Sequence, residues 1–148
     1  MNITDLIDEN TFIFDKNIKT KDELFTSLSE SLYQNGYLKN KNKFLKDLYK
    51  REELISTGIE DGFGIPHTKS KYIKKPLITF AKTSELQDYT ALDNSKINIV
   101  FLIALPKNAQ DSHLYLLSEL AKLLMDSDFR ENIRRVNNPD EILNILSL

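Results

Sequence analysis

The patterning of this 148-residue chain predicts an α/β or α+β sandwich in which helices cover a central sheet. Two stretches of helical apolar spacing come first. Two strand-like runs, LITFAKT at 77–83 and INIVFLIAL at 97–105, follow them, and further helical stripes close the chain. This pattern does not give the strand order.

The first helix is predicted over 20–35. Thr20 followed by Glu23 makes a capping box, Leu24, Leu28 and Leu32 recur on one face with Phe25 beside them, and Gly36 supplies a left-handed stop. Phe44, Leu45, Leu48 and Tyr49 mark a second amphipathic helix from about Asn42 to Glu53, with Arg51 near its end. The stretch STGIEDGFGIPHTKS then holds three of the four glycines and reads as a tight turn region that another molecule can approach closely. LITFAKT alternates imperfectly and is rich in β-branched and aromatic types. INIVFLIAL is almost continuously apolar, as a strand buried on both faces should be.

Asp111 or Ser112 is the expected cap of the next helix, whose stripe is Leu114, Leu117, Leu120, Ala121 and Leu124. Residues 128–136 read as a further helical segment. A last helix opens at Asn138 with Pro139 in its first turn. The size suits one compact domain over 1–148 with a single substantial core.

Twenty Lys and Arg against 22 acids leave a net charge of −2, which argues against a general nucleic-acid binder and confines any anion site to a local patch. With no cysteine, the chain has no disulfide, thiol nucleophile or thiolate metal site. The acidic N-terminus does not read as a signal peptide, and no apolar run approaches the roughly 20 residues of a membrane span. A cytosolic protein without direct membrane insertion is expected.

The chemistry-bearing candidates are few. His67 follows Pro66, which restricts the backbone, and Thr68 and Ser70 offer hydroxyl donors. A neutral imidazole can attack through one ring nitrogen while the other keeps its proton. A solvated or hydrogen-bonded structural histidine is the competing reading. His113 falls in the first turn of a predicted helix, where backbone amides favour an anion, or else it is a boundary residue facing water. Arg51 is either a surface charge or a guanidinium aimed at phosphoryl oxygens. Lys69, Lys71, Lys74 and Lys75 form a run that is solvated or meets an acidic partner. Two histidines 46 positions apart give no compact metal spacing, and neither a dinucleotide fingerprint nor a GxxxxGK[ST] loop is present.

The segment REELISTGIEDGFGIPH, from Arg51 to His67, resembles the phosphorylation-site segment of fructose/mannitol-type enzyme IIA proteins of the bacterial sugar phosphotransferase system. FAK at 80–82, Tyr89 followed by ALD, NIVFLIALP and SHLYLLSELAKLLMD resemble the downstream blocks of that family in the same order. Glu60, Phe63, Gly64 and Thr68 depart from its strict pattern, where glycine, an aliphatic, alanine and a small residue are common, and the first two are familiar in its fructose-like branch, which this chain resembles.

The resemblance implies a mixed sheet flanked by helices. It implies that His67 is the phosphorylated histidine, His113 the second active-site histidine and Arg51 the arginine that holds the phosphoryl group. The implied donor is the phosphocarrier protein HPr, the implied acceptor is a cysteine of an enzyme IIB, and no metal or other cofactor is needed. The alternative within the family is a regulatory domain whose phosphorylation controls binding to a non-transporter partner. Phe63, Ile65, Tyr72 and Ile73 are candidates for the apolar docking rim or, equally, residues packed inside the domain.

Overall fold

The computed structural model describes residues 3–54, 56–109 and 111–147, with the side chains of 111–114 outside that description. Two short 3-10 helices, Ile3–Leu6 and Glu9–Thr11, precede β1 (Ile13–Asp15), α1 (Lys21–Gln34) and α2 (Lys41–Leu54). Then come β2 (Phe63–Gly64), β3 (His67–Ser70), β4 (Leu77–Thr83) and β5 (Ile99–Pro106). The helices α3 (Asp111–Leu124), α4 (Ser127–Arg134) and α5 (Pro139–Leu146) complete the chain.

The sheet is mixed, as the family resemblance implies. Its order is β1-β4-β5-β2, with β3 continuing the β2 edge along β5. The central pair β4 and β5 is antiparallel, whereas β1 runs parallel to β4 and both β2 and β3 run parallel to β5. Strand alternation divides the apolar residues between two layers. Leu77, Ala81, Val100, Leu102 and Ala104 face α1 and α2, where they meet Leu24, Phe25, Leu28, Phe44 and Leu48. Ile78, Phe80, Ile99, Phe101 and Ile103 face the other way, onto Leu120, Leu124, Ile133 and Ile142 of the C-terminal helices. The apolar run of β5 is therefore buried on both faces, as expected.

Local signals behave as the residues dictate. The Glu23 amide donates to Thr20 Oγ1, and the Glu23 carboxylate accepts from the Lys19 amide, both at 3.1 Å. Gly36 sits at φ +83° after α1. Asn138 caps α5 by accepting from the Glu141 amide at 3.1 Å. Asp111 lies inside α3, so it is the first helical residue and not the cap.

The largest difference from expectation is in the glycine-rich stretch, which contains two strands. GFGIPHTKS zips onto β5 in parallel, pairing His67 with Ile103 and Ser70 with Pro106. A two-residue strand, an interruption at Ile65 and Pro66, and a four-residue strand are each too short to give a periodic signal. β1, at three residues, escapes for the same reason.

Phe80 lies at the centre of the α3–α5 layer, with ring centroids of Phe12, Phe14 and Phe101 at 5.9, 5.6 and 5.1 Å. Phe80→Ala is expected to cost about 3–5 kcal/mol, read as a lowered urea midpoint with an unchanged slope.

Candidate functional site

His67 is the first residue of β3, at the sheet edge that α2 covers on one side. It is half-buried and lines a cleft of about 620 Å³ between the end of α2, β3, the end of β5 and α3. Arg51, in the last turn of α2, lines the same cleft. The structure thus brings together two of the three predicted site residues. His113 falls within α3, but its side chain lies outside the described residues.

The ring is held by its own backbone. His67 Nδ1 lies 2.8 Å from the carbonyl oxygen of Ile65, and a carbonyl can only accept. Nδ1 therefore carries the proton of the neutral ring, and Nε2 carries the lone pair. Burial pushes the ring's pKa below its ordinary 6.5. The Ile65 carbonyl opposes that shift, the Arg51 charge reinforces it, and the Glu52 charge opposes it.

Sequence reasoning missed the support beneath this contact. Glu52 is buried at 8% exposure, and its carboxylate accepts from the Thr57 amide at 2.9 Å and the Thr57 hydroxyl at 2.6 Å. Thr57 then accepts from the Ile65 amide at 3.0 Å through its own carbonyl. The carbonyl of Ile65 in turn accepts the hydrogen bond from His67 Nδ1–H. A buried carboxylate at the end of α2 is thus linked, through two loop residues, to the tautomer of the histidine. The buried Tyr89 hydroxyl also meets Thr57 Oγ1, and the surrounding burial pushes its pKa up. No spacing in the sequence points to these partners, because the contacts join α2, the following loop and the segment before β5.

Several expectations are corrected. The glycines before His67 serve internal contacts and do not open a path for a ligand. A Cβ on Gly62, whose φ is +81°, would fall 2.8 Å from Asn98 Oδ1, and one on Gly64 would fall 3.0 Å from the Tyr89 hydroxyl. The departure from alanine at position 64 therefore makes room for Tyr89. Ser70 uses its hydroxyl on α2, donating from Oγ to the Asp47 carboxylate at 2.7 Å, and the Thr68 hydroxyl lies between the Lys69 carbonyl at 3.3 Å and the Asp47 carbonyl of α2 at 3.5 Å. Of the four rim candidates, Phe63, Ile65 and Ile73 are core residues at 0, 4 and 2% exposure, and only Tyr72 lines the cleft. The apolar residue that does stand out there is Leu54, 80% exposed.

The loop before β2 is held from the far side. Arg130 and Arg134 of α4 pair with Asp61, which takes a φ of 55°, and Arg134 stacks on Phe63.

A mixed five-stranded sheet between helical layers is the fold of enzyme IIA domains of the mannitol type. The chain belongs to the EIIA 2 family of the phosphoenolpyruvate-dependent sugar phosphotransferase system, whose profile it matches over residues 5–148. It is 31% identical over 147 residues to the fructose-specific EIIABC component of Bacillus subtilis, covering 99% of this chain and 23% of that protein. The chain thus spans about a quarter of that relative's length. It is 30% identical over 128 residues to the fructose-specific EIIA component of Haloferax volcanii, covering 86% of this chain and 83% of that one.

Among solved structures, the nitrogen regulatory protein IIA-Ntr of Neisseria meningitidis superposes with a TM-score of 0.87 at 27% identity, covering 97% of this chain and 98% of that one. The mannitol enzyme IIA of Escherichia coli, solved in complex with phosphorylated enzyme IIB, superposes at 0.76 with 20% identity, covering 96 and 99%. No helix among the described residues is long and apolar enough to cross a membrane.

The geometry fixes two outcomes for the ring. Its titration midpoint, followed by NMR, is expected below 6.5, because the folded environment disfavours the charged form. The unfolded chain then takes up this proton first. The neutral ring's contribution to stability is present above the unfolded pKa and is lost as pH falls through the window down to the folded one. Removing the neighbouring negative charge in Glu52→Gln should move the midpoint lower still, and an unmoved midpoint would detach Glu52 from the ring.

Proposed function

We propose that residues 1–148 form a single enzyme IIA domain that carries a phosphoryl group on Nε2 of His67, taken from phosphorylated HPr and passed to a cysteine of an enzyme IIB. The observation that carries this reading is the Nδ1–H bond to the Ile65 carbonyl, which leaves Nε2 as the nucleophilic nitrogen in a cleft shared with Arg51. Lowered basicity keeps that nitrogen unprotonated near neutral pH.

In the first transfer the Nε2 lone pair forms a bond to phosphorus as the P–N bond of the donor's phosphohistidine breaks, and the electron pair returns to the donor's imidazole. His67 becomes a phosphorylated imidazolium whose proton stays on Nδ1, donated in a hydrogen bond to the Ile65 carbonyl. In the second transfer a partner thiolate attacks phosphorus, the P–N bond at His67 breaks, and the pair returns to Nε2, so the ring leaves neutral. Little covalent work is left to other groups, and catalysis rests on positioning and on neutralising the equatorial oxygens. Arg51 is assigned that neutralising role because its planar fork suits phosphoryl oxygens and it lines the same cleft. His113 is assigned a share of it because it sits one helical turn before Leu117, which lines the cleft. Neither a metal nor another cofactor is invoked.

The likeness to the Neisseria nitrogen regulatory protein favours a second reading, in which phosphorylation of His67 switches binding to a non-transporter protein. Onward transfer separates the two: phosphate that moves from the labelled chain to a purified enzyme IIB supports the transport reading, and phosphate that stays supports the regulatory one.

Incubation with phosphorylated HPr is expected to leave an acid-labile, base-stable phosphate that His67→Gln abolishes. His113→Ala and Arg51→Ala should still accept phosphate but about 10²-fold more slowly, the size of a lost oxyanion contact. A phosphate that survives His67→Gln would sink the assignment.

A further inference from the structure

The charge of this chain is strongly segregated. Residues 39–51 and 69–75 hold ten of the twenty Lys and Arg side chains and one of the 22 acids. The fold sets these two stretches side by side. Leu38 bridges to Ile73, the Lys39 amide donates to the Tyr72 carbonyl, and the Lys74 amide donates to the Tyr37 carbonyl, both at 2.8 Å. Lys43 and Lys71, from opposite stretches, both sit over the Tyr72 ring, at 5.5 and 5.4 Å from its centroid. Like charges drawn to one ring in this way form a continuous basic face.

Acids do little to cancel it. Asp47, the one carboxylate in the two stretches, accepts from Ser70 Oγ. Glu30 of α1 pairs with Lys41, and Asp8 accepts from the Tyr37 hydroxyl at 2.7 Å. Lys39, Lys43, Lys46, Lys50, Lys74 and Lys75 are all exposed. The basic face runs directly into the His67 cleft, which is lined by five cations, the single acid Asp47, and the apolar Leu54 and Tyr72. The remaining ten cations are outnumbered by 21 acids elsewhere in the chain, so the net negative charge lies outside these two stretches; Glu52, the acid next to Arg51, is buried behind the cleft and does not line it.

We propose that this face is a docking surface for an acidic protein, whose carboxylates engage the lysines of α2 and of the 69–75 segment while its reacting group sits over His67. The proposal rests on the reading of His67 as a phosphoryl carrier and adds the charge of the protein that meets it. An acidic protein fits better than a nucleic acid because Leu54, 80% exposed at the mouth of the cleft, offers apolar contact that a phosphate backbone does not use. It fits better than an anionic lipid surface because five cations line a concave cleft, which a protruding protein segment enters and a flat headgroup layer does not. Complementary fields of this kind mainly raise the association rate and make it sensitive to salt.

The test compares a donor that must dock with one that need not. Initial rates of His67 phosphorylation are measured with phosphorylated HPr and with the small donor phosphoramidate, and onward rates with enzyme IIB, at 25 and 400 mM NaCl. The rate with at least one of the two proteins should fall about tenfold or more with salt, while the phosphoramidate rate changes less than twofold. The triple variant Lys43→Glu, Lys46→Glu, Lys74→Glu should lower the ratio of protein-mediated rate to phosphoramidate rate by a similar factor. Protein-mediated rates that are flat or that rise with salt for both partners overturn the proposal. So does tighter binding, at 150 mM salt, of a 20-base-pair DNA duplex or of phosphatidylserine vesicles than of either protein.

If phosphoramidate fails to label His67, the carrier reading fails instead. The docking surface is then judged by amide shifts at Leu54, Lys69, Lys71 and Tyr72 on adding unphosphorylated HPr or enzyme IIB. Salt-sensitive shifts there support it, and their absence overturns it.

Discussion

The contact on which the rest of the site depends is the hydrogen bond from His67 Nδ1 to the carbonyl of Ile65. It decides which nitrogen is basic and locks the ring plane without using another side chain. A carbonyl two residues upstream can hold this geometry only if its own peptide is fixed. Pro66 limits the backbone on one side, and the Ile65 amide bonded to the Thr57 carbonyl limits it on the other. Glu52 then closes the chain by taking both Thr57 donors. A buried carboxylate with good partners is expensive to strip of them, so the arrangement resists drift at a cost the core can bear. The result is a preorganised imidazole on a strand, which holds a reacting group more accurately than a loop does.

The same constraint shapes the electrostatics. Arg51 and Glu52 are consecutive residues at the end of α2, and they act on His67 in opposite senses. The helix turns the arginine into the cleft and the glutamate into the protein. A positive charge therefore stands in the same cleft as the ring, where the proposed function would use it against a phosphoryl group. Its negative neighbour is placed behind, limiting how far the ring's basicity falls. Turning α2 by the roughly 100° between consecutive residues would put Glu52 in the cleft in place of Arg51, and the packing of Phe44 and Leu48 in the core opposes that.

Much of the fold was legible because long elements advertise their period. Both N-terminal helices, the strands at 77–83 and 99–106, and the helices at 127–134 and 139–146 lie close to where apolar spacing and caps put them. The edge strands were not legible, since two to four residues give no period and their pairing is with β5, tens of residues away. The candidate residues His67 and Arg51 were found from local motif and resemblance, and they do meet at one cleft. Their support was invisible for a physical reason: Glu52, Thr57 and Tyr89 look like ordinary residues until folding buries them together. The glycines misled in an instructive way. Their freedom was read as an opening for a ligand, but Gly62 and Gly64 are small because Asn98 and Tyr89 fill the space against them.

Net charge shows the limits of a chain-wide average. A value of −2 is the balance of a basic face and an acidic remainder, and an approaching partner responds to the field at the surface it meets. At physiological ionic strength that field fades over about 8 Å, so acids on the far side of the sandwich do little to weaken it near His67. A phosphoryl group brought to the cleft, as the proposed function requires, would itself be anionic, and the lysines beside the cleft would favour its approach in whichever direction transfer ran. Attraction that is equal for both states cannot drive net transfer, however. In the proposed reaction, direction would come from the relative stability of phosphohistidine and the partner's phosphorylated group, while the proposed docking face would set how often the two proteins meet.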